Sequence, residues 1–228
     1  MNNATRAACA VTLLVPQLGL AADHTDSSAV IADPAADITD VFAWMDPSGD
    51  KLNLVLDIPS GGAGSSFSDA VQYVFHVESS PAFGTAGEST DIICTFDVNQ
   101  AVSCWVGSEA YVTGDASSTA GLSDDSGQIR VFAGRRNDPF YFNISGFRNT
   151  ISAVVAAAGS LSFDNAGCPA LDGATSSTLV SALMTEPDGS PAQDDFAMGE
   201  VLALVVQVDL GLVNRGGPIL AVWASTRR

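Results

Sequence analysis

From residue 40 onward, clusters of Gly, Ser, Asp and Pro break the chain into short β-patterned runs, leaving few stretches long enough for a helix. Short runs rich in Val, Ile, Phe, Tyr and Trp, bounded by turn residues, are the mark of strands. The first run, residues 40–45, ends at Asp46-Pro47-Ser48-Gly49-Asp50, and residues 51–58 follow as its hairpin partner. Further runs cover residues 72–78, 91–97, 101–107, 128–133, 140–144, 200–210 and 219–224. Two stretches have one-face helical spacing instead: residues 147–158, through Phe147, Ile151, Val154 and Val155, and residues 175–185, through Leu179, Val180 and Leu183. Residues 60–68 and 114–127 read as flexible loops. The expectation is a mainly β fold with one or two short helices. Its antiparallel sheets, of about nine strands, would form a sandwich or a small propeller-like arrangement.

Hydrophobic residues make up 46% of the 228 positions and charged ones 15%, enough apolar surface for a sizeable core. Acidic residues outnumber basic ones 26 to 9, for a net charge of -17. A chain so poor in Lys and Arg is unsuited to nucleic acid and to anionic lipid headgroups. The carboxylates serve solubility, or some of them bind a cation.

The first residues read as a Sec-type signal peptide: Arg6 supplies the positive charge, and residues 7–20 are an apolar run with small residues after it. Cleavage after Ala21 or Ala22 would start the mature chain at Ala22 or Asp23, with residues 23–228 as one β-rich domain, periplasmic or secreted. No stretch reaches the length of a membrane-spanning helix. Export permits disulfides. Folding residues 92–106 about Asn99 places Cys94 opposite Cys104, close enough for a cross-strand bridge. Cys168 is left over, whether buried, free or intermolecular.

His24, in Asp23-His24-Thr25-Asp26, is a polar leader that could ligate a metal through the histidine and its flanking carboxylates. Asp33 is expected to cap a short helical turn with Pro34 at its first position, bringing Asp33 and Asp37 to one side with Asp40 nearby. Asp37 and Asp40 are the candidate metal ligands. An oxygen-rich cluster of this kind suits Ca²⁺, although its spacing is not that of an EF-hand. Arg135 and Arg136 precede the turn Asn137-Asp138-Pro139, where an arginine would pair with an aspartate as a sheet-corner staple or a carboxylate clamp. His76 alternates with Val74 and Glu78 and reads as a strand histidine with a structural hydrogen bond. Nucleophile-elbow, zinc-protease and phosphate-loop motifs do not occur.

Residues 33–43, 131–143, 195–208 and 220–226 together resemble the opening, central and closing motifs of the bacterial domain-of-unknown-function 4331 family. His24 matches the histidine of that family's polar leader. Asn137 stands where the family commonly has an acid, Met198-Gly199 replaces its usual run, and the chain is short for the family. The resemblance implies an exported, β-rich protein without an established activity. The function expected is therefore non-catalytic binding of a small ligand, a metal or an envelope protein partner, with His24, Asp26, Asp37, Asp40, Arg135 and Asp138 as the site. The alternatives are a hydrolase using two carboxylates and a structural component of an envelope assembly.

Overall fold

The computed structural model describes residues 28–61 and 65–228. The expected leader, with His24 and Asp26, lies outside the described residues. In chain order come helix α1 (Ser28–Ala32), a 3-10 turn (Pro34–Ala36), and strands β1 (Asp40–Met45), β2 (Lys51–Pro59), β3 (Gln72–Ser80), β4 (Glu88–Phe96), β5 (Val102–Val106), β6 (Ala110–Gly114), β7 (Leu122–Ser123) and β8 (Ile129–Asn137). Helices α2 (Ile144–Ala157) and α3 (Gly173–Leu183) precede β9 (Glu200–Asp209) and β10 (Ile219–Arg227). Among the described residues the ten strands form two five-stranded antiparallel sheets, ordered β1-β2-β9-β8-β7 and β10-β3-β4-β5-β6. None of the described helices is long and apolar enough to cross a membrane.

Two-residue periodicity decides which side chains meet. In β2, Leu52, Leu54, Leu56 and Ile58 enter one core with Tyr73, Phe75 and Val77 of β3 and Leu204, Val206 and Val208 of β9. The intervening residues face outward. The two sheets therefore share a core as a sandwich, and the propeller-like alternative does not hold. A fully buried Leu or Ile of this core contributes about 1.5–3 kcal/mol.

Cys94 stands opposite Cys104 across β4 and β5, and the two are bonded with Cα atoms 4.1 Å apart. At the hairpin tip Asp97 Oδ1 accepts from the Asn99 and Ala101 amides, while Gln100 takes φ 65°. Gln100 also ties the tip to the loop before β3, exchanging hydrogen bonds with the Phe67 backbone at 2.9 and 3.0 Å.

The structure departs from expectation in three places. Residues 110–114, outside any expected run, form β6, and β7 lies within residues 114–127, read as a flexible loop. Residues 140–144 are not a strand: Asn143 caps α2, its Oδ1 accepting from the Gly146 amide at 2.9 Å. Asn143 Nδ2 donates to the carbonyls of Leu183 and Thr185, fastening α2 to the end of α3. Finally, Asp33 does not use its side chain to cap the 3-10 turn. It accepts instead from Ser68 Oγ at 2.7 Å and from Arg228 at 3.1 Å.

Candidate functional site

The chain enters β1 from the 3-10 turn, leaves β2 at Pro59, and leaves β8 at Asn137 before the helical excursion that returns at β9. These ends enclose a cleft of about 440 Å³ whose lining residues include Asp37, Asp40, Asp138 and Glu200. Phe140 and Phe196 form an aromatic wall, their ring centroids 5.5 Å apart. Asp138 is fixed by its own turn: its amide donates to the Gly199 carbonyl at 3.0 Å, and its Oδ1 accepts from the Phe140 amide at 2.9 Å.

Asp57 is the unusual member of the neighbourhood. It pairs across β2 and β1 with Asp40, so the two side chains project from the same face of the sheet. It has no accessible surface, and neither carboxylate oxygen has a hydrogen-bond partner among the described residues. Burial, then the negative charges of Asp40 and Asp138, push its carboxyl up to about 7. Thr39 Oγ1, beside the same cleft, is also buried without a partner. Unsatisfied buried polar atoms cost free energy and are uncommon, so two adjacent residues carrying them mark this end of the sheet.

Three of the six expected site residues, Asp37, Asp40 and Asp138, thus line one cleft. Arg135 pairs with Glu200, one of the lining residues, at 2.9 Å and reaches Ser65 Oγ at 3.3 Å. Arg136 covers the Phe132 ring at 3.8 Å. Among the described residues no three His, Cys, Asp or Glu side chains converge as a metal-holding group. Cys168 is exposed, with no disulfide partner among the described residues. Asp57 and Glu200 were missed by sequence reasoning. The available signal for Asp57 was an acid inside the otherwise apolar run Leu54-Val55-Leu56-Asp57-Ile58.

A second constellation lies on the outer face of the other sheet. His76 Nδ1 is 2.7 Å from Asp91 Oδ1, and its Nε2 is 2.8 Å from Ser225 Oγ. Trp223 stacks on the imidazole at 5.2 Å, and Arg227 reaches within 3.3 Å of Nε2. His76 has the strand hydrogen bond expected of it, but with two side-chain partners from neighbouring strands.

Compared with family models, characterised proteins and solved structures, the chain matches none of them.

Proposed function

We propose that this is an exported protein of the domain-of-unknown-function 4331 type, whose acidic cleft is a non-catalytic binding site for the cationic group of a small organic ligand, an amine or a guanidinium. The observation that carries the reading is Asp57, a buried carboxylate without a hydrogen-bond partner among the described residues, behind Asp40 and near Asp138. A positive charge in the cleft offsets the repulsion among these groups and favours the ionised form of Asp57. An organic cation suits the site better than a bare metal, because the carboxylates do not converge on one point and two phenyl rings form part of the wall. Cations pack favourably against aromatic faces, and the cleft has the volume of a small-molecule site. The hydrolase alternative lacks support at Asp57, which has no surface from which to hand a proton to a substrate.

Thermal melting at fixed ionic strength with spermidine, arginine methyl ester, tetramethylammonium or calcium tests the reading. A saturable rise with an organic cation, lost in Asp40→Asn and Asp138→Asn, is expected. A saturable rise with calcium alone would make the cleft a metal site instead.

A further inference from the structure

The geometry points to a second, catalytic site on the opposite sheet: Ser225, His76 and Asp91 form a nucleophile–base–orienter relay able to hydrolyse a small neutral ester. It is separate from the acidic cleft and does not depend on it. The three residues come from neighbouring strands β10, β3 and β4. His76 pairs directly with both Trp223 and Asp91, and Ser225 lies two residues beyond Trp223 on the same face. Sheet packing thus places on one outer face what sequence separation hides.

Both hydrogen bonds have the lengths that the chemistry requires, 2.8 Å from nucleophile to base and 2.7 Å from base to carboxylate. The ring orientation is also defined. Arg227 has only donors to offer, and its Nη2 lies 3.3 Å from His76 Nε2. That nitrogen therefore carries the lone pair, which leaves the proton on Nδ1 facing Asp91. Nε2 then accepts from the Ser225 hydroxyl at 2.8 Å, sharing its one lone pair with the more distant Arg227 donor, in the tautomer a general base needs. Arg227 also lies 3.9 Å from Asp91 Oδ2, and its charge sits beside the point of attack. It is the group placed to stabilise an oxyanion developing there.

In the first step Ser225 Oγ bonds to the ester carbonyl carbon and its proton passes to His76 Nε2. The ester C–O bond then breaks, and the departing alkoxide takes that proton and leaves as the alcohol. Water next bonds to the acyl carbon, giving a proton to Nε2. The C–Oγ bond breaks, Oγ recovers the proton, and the carboxylic acid is released. The exposed Trp223 indole, 46% accessible and stacked on His76, offers a platform for a ring in the leaving alcohol. The His76 ring is buried, which leaves room for a short acyl group only. The net charge of -17 disfavours anionic esters.

The test uses the purified protein with a fluorophosphonate probe and with p-nitrophenyl acetate. Expected are labelling confined to Ser225 by peptide mapping, no labelling after heat denaturation, and ester turnover. Ser225→Ala should lose both signals while melting within a few degrees of the wild type. Asp91→Asn should slow turnover at least tenfold, and Arg227→Gln should lower kcat about tenfold with little change in KM. The proposal is overturned if the folded protein is not labelled, if the label sits elsewhere, or if turnover survives Ser225→Ala.

Discussion

Asp40 and Asp57 face one another across the first hairpin, and while Asp40 borders a cleft, Asp57 has no accessible surface and no hydrogen-bond partner among the described residues. Two acids in register on one sheet face repel when both are ionised. The pair persists because the surrounding core, with Leu56 and Ile58 on the opposite side of β2, holds the strand in place.

The repulsion has a pH signature. The Asp57 carboxyl is raised from 3.8 to about 7 in the folded protein, so between those values the folded chain holds more protons than the unfolded one. Stability from this group is full below about pH 4 and falls as the pH rises to about 7. Asp57→Asn removes the dependence, and at pH 7.5 it should stabilise the protein by about 1–3 kcal/mol. Urea melts of both proteins from pH 4 to 7.5 check this, and parallel profiles would contradict it.

The Cys94–Cys104 bridge closes a short hairpin, with the partners 10 residues apart in sequence. In the chain-entropy account such a loop contributes about 3 kcal/mol. Cys94→Ser with Cys104→Ser should lower stability by that order in denaturant melts, leaving β4 and β5 paired as judged by amide exchange.

Gly146 lies at the junction of α2 with α3, where a Cβ would stand 2.4 Å from Asn143 Nδ2 and 2.7 Å from the Thr185 carbonyl. Gly146→Ala should therefore cost about 1–3 kcal/mol. Removing the cap with Asn143→Ala should cost about 1 kcal/mol. Because Phe140 and Phe196 flank this excursion, both variants should weaken organic-cation binding while leaving the Cys94–Cys104 sheet protected. Hydrogen exchange resolves the two regions.

The sequence was most informative where one local rule governs. Alternating apolar residues located β2, β3 and β9 to within a few residues, and the turn at Asn99 and Gln100 was enough to pair the cysteines. Asp37, Asp40 and Asp138 come to one cleft because two of them lie at the entry to β1 and the third sits in the turn after β8. Residues 140–144 misled: three aromatics in five positions favour a strand, but Asn143 found a helix to cap and the rings packed on one another. Asp57 was hidden because alternation marks it only as outward-facing. Its burial depends on what crosses the outer face of the sheet. Ser225 and Asp91 were hidden more deeply, since joining them to His76 requires knowing that β10 lies beside β3.

Two linked properties define the cleft: the charge state of Asp57 and its response to a bound cation. A ¹³C titration of the Asp57 side-chain carboxyl, with and without saturating spermidine, measures both. The account predicts a midpoint near 7 in the free protein and a clear downward shift with the cation bound. A midpoint in the ordinary aspartate range, unmoved by spermidine, would contradict it.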